Sequence, residues 1–147
     1  MGRTVILLHS LPDGTSHFDW LIEREPGDSG APAAAGRQAD EHGALTFRLM
    51  VRPDDPAATS FAGTRLPDHR TQYFDYEGSV AGRGEVRRVA AGEARIERYS
   101  TDELVISVLF GESRRGWRGI RVVTLPDRSD ERWIFRLDSG WVSDILH

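Results

Sequence analysis

The stretch Arg3-Thr4-Val5-Ile6-Leu7-Leu8-His9-Ser10-Leu11-Pro12-Asp13-Gly14-Thr15-Ser16-His17-Phe18-Asp19-Trp20-Leu21-Ile22-Glu23 decides the fold. Residues 3–8 (RTVILL) are a short, β-branched, apolar run of the kind that makes a buried strand. Residues 17–25 (HFDWLIERE) partly alternate between apolar and polar, which reads as a second strand. Between them Pro12-Asp13-Gly14 is a turn signal, since proline presets one backbone angle and glycine supplies a positive φ. The segment therefore predicts a β-hairpin.

Outward from that hairpin, residues 26–43 are rich in Gly, Ala, Pro, Asp and Ser and carry no apolar period, which predicts a long loop. Residues 44–51 (ALTFRLMV) predict a third strand, ended by the two prolines of 52–58 (RPDDPAA). From Gly63 onward, short strand-like runs alternate with glycine or charged turns: 72–76, 85–90, 94–99, 103–110, 119–125 and 132–137. Ala91-Gly92-Glu93 reads as the turn between two of them. Only 141–147 (WVSDILH) has the look of a short helix. The spacing predicts a single antiparallel all-β domain over residues 1–147, a sandwich or a barrel, with little helix.

Composition removes whole classes of chemistry. The chain has 147 residues and no cysteine, so disulfides, thiolate nucleophiles and cysteine metal sites are excluded. All 19 basic residues are arginine, so Schiff-base chemistry and a P-loop lysine are excluded as well. No run approaches the ~20 apolar residues of a membrane-spanning helix. The opening apolar run is too short for the core of a signal peptide, and Ile6 stands where a myristoylation signal carries Ser or Thr. The expectation is a soluble, cytoplasmic protein without a membrane partner. Net charge is −4, yet the arginines gather late in the chain, at 83–98 and at 114–121. Such clusters serve as a solvated strand face or as a local anion-binding surface.

Histidine, carboxylate, tyrosine and arginine remain for chemistry. His17 and Asp19 are separated by one residue, which on a strand puts both side chains on one face. If the hairpin forms, His9 flanks its turn opposite them, and two imidazoles and a carboxylate meet. That set suits a divalent transition metal such as Mn, Zn or Fe and leaves positions open for water or substrate. Taken singly, each histidine is an ordinary surface or hydrogen-bonded residue; the metal reading depends on the hairpin. His69 lies in Leu66-Pro67-Asp68-His69-Arg70, which reads as a defined turn, and Tyr73 follows four residues later. Tyr73 either packs in the core or joins His69 in holding an anion. The glycine-rich run 77–84 reads as a flexible crossover or, less specifically, as a phosphate-cradling loop, although no helix clearly follows it.

Taken together these residues resemble a known family. Leu8-His9 … His17-Phe18-Asp19-Trp20-Leu21-Ile22-Glu23 is similar to the K-H-x5-H-Y-D-F-R-L-E signature of the phosphoesterase domain of bacterial DNA ligase D. Asp68-His69-Arg70-Thr71-Gln72-Tyr73-Phe74-Asp75-Tyr76-Glu77-Gly78 resembles that domain's D-H-P-x-x-Y-x-x-F-E-G, and is closest to a stand-alone subgroup with L-P-D-H-R-x-x-Y-x-D-Y-E-G. Gly84-Glu85-Val86 … Ala91-Gly92 and Phe110-Gly111 … Arg118-Gly119-Ile120 … Trp133-Ile134-Phe135 are similar to its later motifs, in order along nearly the whole chain. The resemblance implies a compact antiparallel β-barrel and manganese-dependent removal of 3′ ribonucleoside and 3′ phosphate groups from DNA ends in DNA repair. By position it implies His9, His17 and Asp19 as metal ligands, and His69 and Tyr73 as contacts to the scissile phosphate. DNA 3′ ends, or another phosphate-bearing substrate, are the partners it implies, with a separate ligase or polymerase alongside.

The departures from the pattern bear on activity. The first two histidines are eight apart rather than six, so the turn between them is longer. Leu21 stands where active members carry arginine, Pro67 replaces an acidic residue, and the family's lysine has no counterpart in a lysine-free chain. Arg48, Arg65 and Arg70 are the candidate phosphate contacts in its place. Two expectations stand side by side: a metal-dependent 3′-phosphoesterase, and a catalytically impaired nucleic-acid- or protein-binding barrel that keeps the metal or phosphate site.

Overall fold

A computed structural model describes residues 2–24, 43–122 and 131–138. Its strands are β1 (Gly2–Ser10), β2 (Ser16–Glu23), β3 (Ala44–Leu49), β4 (Ser60–His69), β5 (Gly78–Val80), β6 (Gly84–Tyr99), β7 (Glu103–Phe110), β8 (Ser113–Arg121) and β9 (Arg132–Leu137). A 3₁₀ turn at Thr71–Phe74 is the one helical element among the described residues. All strands join one antiparallel sheet in the order β1-β2-β3-β4-β9-β8-β7-β6-β5, and β1 pairs with β6 to bring the sheet round on itself. The expected all-β, antiparallel, barrel-like single domain is what forms.

The predicted hairpin is present. Leu11 N–H donates to Thr15 O at 2.8 Å, Gly14 N–H donates to Leu11 O at 3.0 Å, and Gly14 takes φ +89°. Asp13 stiffens the loop by accepting from the Thr15 N–H and hydroxyl at 2.9 and 2.6 Å. The register sets His9 opposite His17, Leu7 opposite Asp19 and Ile6 opposite Trp20. Because strand side chains alternate, this one register sorts the hairpin into two faces. Ile6, Trp20 and Ile22 enter the ring's interior with Phe47, Phe61, Trp117, Trp133 and Phe135. Val5, Leu7 and Leu21 form a smaller apolar patch on the other face, with Ala44, Phe74 and Val86.

The interior aromatic rings meet mostly edge to face at centroid separations of 4.8–6.5 Å, an arrangement their quadrupoles favour. The buried Trp20 Nε1–H donates to Thr4 Oγ1 at 2.9 Å, and the Thr4 hydroxyl donates on to Leu21 O at 2.8 Å. That relay ties the two hairpin strands together beneath the functional face.

Several expectations are corrected. Residues 85–90 and 94–99 belong to one continuous strand, and Ala91-Gly92-Glu93 is no turn. There β6 leaves β1 for β7: Glu93 pairs with Arg3 on one side and with Leu109 on the other. Gly92 is needed for that close approach, since a Cβ would lie 2.1 Å from Leu109 O. Residues 71–74 wind into the 3₁₀ turn instead of a strand, with Tyr73 N–H donating to Arg70 O and Asp75 N–H to Gln72 O. The alternation there misled because Phe74 alone of that turn is buried. Strand β4 continues through the Pro67 segment that reads as a turn, tolerated because its β9 pairing ends at Thr64 and its register on β3 shifts between Leu66 and His69. The glycine-rich run holds the β5–β6 hairpin, with Val80 opposite Gly84. Strand β8 starts at Ser113 rather than 119, and β3 stops at Leu49 where Met50 becomes exposed. The expected loop, apart from Gly43, and the expected 141–147 helix lie outside the described residues. Among the described residues no helix is long and apolar enough to cross a membrane.

Gly119 faces the aromatic interior, where a Cβ would sit 2.6 Å from Phe135 Cε1. Phe135 is itself hemmed in by Trp20, Phe47, Phe61 and Trp133. Gly119→Ala is therefore expected to lower unfolding stability by about 1–3 kcal/mol through overpacking. Urea denaturation measures it, and an unchanged midpoint contradicts the packing described.

Candidate metal centre

The alternation that buries Ile6 and Trp20 delivers His9, His17 and Asp19 to the opposite face. Each offers one ligand atom, and these atoms lie within 4.8 Å of one another. His17 and Asp19 are buried, at 5% and 4% exposure, and His9 is half-buried. The two imidazoles stand edge to face, 4.8 Å between centroids. His9 Nδ1 lies 3.5 Å from Asp19 Oδ2, and His17 Nε2 lies 3.0 Å from Asp19 Oδ1.

That 3.0 Å approach is not a hydrogen bond: His17 Nε2 and Asp19 Oδ1 are both buried with no hydrogen-bond partner. Leaving such atoms unsatisfied costs about 1–3 kcal/mol each, more for a charged group. A cation between them removes that cost, because a lone pair on each atom becomes a coordinate bond. Two imidazole nitrogens and a carboxylate are a donor set that suits divalent transition ions and leaves coordination positions open. The residues present fit the metal that the sequence resemblance implies.

A neighbouring contact selects which nitrogen of His9 faces the site. His9 Nε2 lies 2.6 Å from the Arg83 carbonyl oxygen. A carbonyl only accepts, so Nε2 carries the hydrogen, and Nδ1 is the nitrogen on the side of Asp19, the one with a lone pair to give a metal ion. Metal-bound histidines are commonly oriented in this way by a partner on the far nitrogen. Arg83 is brought there by the β5–β6 hairpin, whose turn is closed by Arg83 N–H donating to Val80 O at 2.8 Å. Gly84 follows with φ +92°, and a Cβ on it would lie 1.8 Å from Ser10 O. Sequence reasoning did not find Arg83 as a supporting residue. The signal was the Gly82-Arg83-Gly84 spacing, whose two glycines both take positive φ.

The rings of His69 and Tyr73 lie 5.5 Å apart, edge to face. Tyr73 packs on the apolar patch that contains Leu7 and Leu21, and His69 pairs across the sheet with Ala44 of that patch. Both thus lie on the same face as the histidine–aspartate cluster. The 3₁₀ turn that carries Tyr73 is pinned by arginines. The Arg3 guanidinium sits 4.6 Å from the Phe74 ring centroid, and Arg88 Nη1 donates to Phe74 O at 2.8 Å. Arg3 also ion-pairs with Glu23 at 3.2 Å. Burial pushes the Glu23 carboxyl up, but hydrogen bonds from Arg3 outweigh this and hold it below the usual range.

The candidate phosphate contacts separate. Arg48 is directly opposite Asp19 across β2–β3, hence on the same face, and its exposed guanidinium makes no hydrogen bond or ion pair with a described residue. Arg70 is exposed and flanks the 3₁₀ turn. Arg65 goes elsewhere: it pairs with Phe47, an interior residue, and is held by Asp68 at 2.7 Å and by Leu66 O. Its guanidinium lies 5.8 Å from the Phe47 ring centroid. Arg65 therefore does not join the cluster. Leu21, at the position of the expected arginine, is fully buried in the apolar patch.

No family model matches the chain, and no curated protein matches it.

Replacing Gly84 with alanine forces a Cβ into Ser10 O and pulls the Arg83 carbonyl away from His9. Loss of such a supporting contact is expected to weaken divalent-metal affinity by about 10–100-fold while the three ligands remain. Isothermal titration with MnCl2 measures it; unaltered affinity contradicts the tether.

Proposed function

We propose that the protein is a metal-dependent phosphoesterase-like domain acting on the 3′ ends of DNA. The observation that carries the reading is the convergence of His9, His17 and Asp19 with two buried, unsatisfied ligand atoms. The sequence resemblance to the ligase D phosphoesterase domain supplies the substrate class. His9 Nδ1, His17 Nε2 and the Asp19 carboxylate hold the ion, with manganese the first choice and zinc or another transition metal the alternative. A divalent ion in such a site polarises a phosphoryl oxygen and lowers the pKa of bound water.

The chain's own residues do the remaining work. The Arg83 carbonyl fixes the His9 ring. Arg48 presents an uncommitted positive charge beside the cluster, suited to an incoming phosphate or to charge that develops during transfer. Tyr73 offers a hydroxyl, and His69 a ring nitrogen, on the far side of the apolar patch. His69 Nδ1 lies 3.1 Å from Pro67 O, so it donates there and leaves Nε2 for substrate.

A second reading rests on Leu21. A buried leucine cannot stabilise an oxyanion, and it occupies the position where the resemblance expects a guanidinium. That favours a module that binds metal and phosphate with little turnover.

One assay separates the readings. The protein is incubated with a primer bearing a 3′ phosphate or a terminal ribonucleotide, with and without Mn²⁺. Manganese-dependent release of phosphate or nucleoside supports the enzyme, whereas manganese uptake and DNA binding without product support the binding module. His17→Ala and Asp19→Ala abolish metal uptake. Arg48→Ala keeps it but lowers turnover by roughly 10²–10³-fold, the scale for losing one oxyanion-stabilising group. Unchanged uptake in both ligand variants contradicts the site.

A further inference from the structure

The hairpin that steadies His9 also walls an open cavity of about 380 Å³, lined by Gln72, Tyr73, Tyr76, Val80 and Arg83 among others. That is within the roughly 300–1,000 Å³ of ordinary small-molecule sites. Arg83 links the cavity to the candidate metal centre: it lines the one and gives its carbonyl to His9 Nε2 in the other.

Two features of the lining define a ligand. Tyr73 and Tyr76 both line the cavity and meet edge to face, 82° between planes and 5.8 Å between centroids, and the Tyr76 ring is exposed. Tyr76 is fixed by its hydroxyl, which donates to Ser79 O, and Tyr73 is fixed against His69 and the apolar patch. The polar groups around these rings are uncommitted: the Tyr73 hydroxyl, the Gln72 amide and the Arg83 guanidinium make no hydrogen bond or ion pair with a described residue. An apolar ligand leaves those three groups without partners, and a bare anion leaves the aromatic faces unused. A planar heterocycle with donors and acceptors along its edge satisfies both sets.

The geometry points to a nucleobase subsite in this cavity, taking the base of the terminal nucleotide whose 3′ phosphate lies at the metal centre. This rests on the proposed action at DNA ends and names the part of the substrate that those ends present. Stacking on tyrosine tolerates any base, so the subsite reads the presence of a base rather than its identity. Arg83 has two separable parts here, its carbonyl serving the metal ligand and its side chain the base.

The test uses manganese-loaded protein and short single-stranded oligonucleotides ending in a 3′-methylenephosphonate, whose carbon bridge resists cleavage. One series carries a base on the last sugar and the other an abasic sugar. Fluorescence anisotropy is expected to show about tenfold tighter binding of the base-bearing end, from the stacking contribution. Tyr76→Ala combined with Gln72→Ala removes most of that difference and leaves the abasic end and manganese affinity unchanged, since neither residue touches the metal ligands or the Arg83 carbonyl. Equal binding of both ends by the unaltered protein overturns the subsite and leaves action at phosphate ends standing. Binding of neither end, with manganese uptake intact, overturns both. A deoxynucleoside 3′-monophosphate that binds as tightly as the oligonucleotide assigns the cavity to free nucleotides and overturns the strand-end placement.

Discussion

The register that sets His9 opposite His17 is the constraint on which the molecule's organisation rests. A slip of one residue moves every side chain of a strand to the other face. Here it would expel Ile6 or Trp20 from the interior and fold the imidazoles inward. Several interactions hold it: the Asp13–Thr15 turn contacts, the Trp20–Thr4–Leu21 relay, and pairing of β1 to β6 along most of its length. The core and the candidate metal site are thus two faces of one hairpin, and stabilising either one fixes the other.

Closure of the sheet gives the site its supporting residue. Because β1 pairs with β2 on one edge and β6 on the other, His9 is flanked by His17 and by Val86. The chain just before β6 then places the Arg83 carbonyl on the imidazole's far nitrogen. Gly84 marks where the backbone pays for that closeness: its positive φ and contact with Ser10 O admit no side chain. The neighbouring apolar patch does a second job, seating the 3₁₀ turn that carries Tyr73. Arg3 and Arg88, read in the sequence only as charge, are the clasps on that turn.

Much of this was legible in the sequence, for definable reasons. Strands β7 and β9 match their expected bounds; β1 starts one residue earlier and ends two later than expected, and β2 starts one earlier but stops at Glu23 instead of continuing through Arg24. Each is a bounded run that sends one alternating set of apolar residues to the interior. The spacing of His17 and Asp19 predicted a shared face, and the hairpin predicted His9 beside them. Illegible were elements whose form depends on distant partners. Gly92 looks like a turn until β6 is seen changing neighbours there. Residues 71–74 alternate like a strand, but among the described residues no strand pairs with them. Arg65 and Arg48 look equivalent in a list of arginines; only sheet parity sends one to the interior beside Phe47 and the other to the face with Asp19. The Arg83 carbonyl is marked only indirectly, by the two glycines that flank it, and its contact with His9 depends on the distant β1.

The account stands on two imidazoles and one carboxylate gripping a single divalent ion. Anomalous scattering at the manganese edge, from crystals of the manganese-soaked protein, tests it most directly. One strong peak is expected among His9 Nδ1, His17 Nε2 and Asp19, about 2.0–2.2 Å from each donor atom. A map with no peak there, and with the His9 and His17 rings turned to other partners, contradicts it.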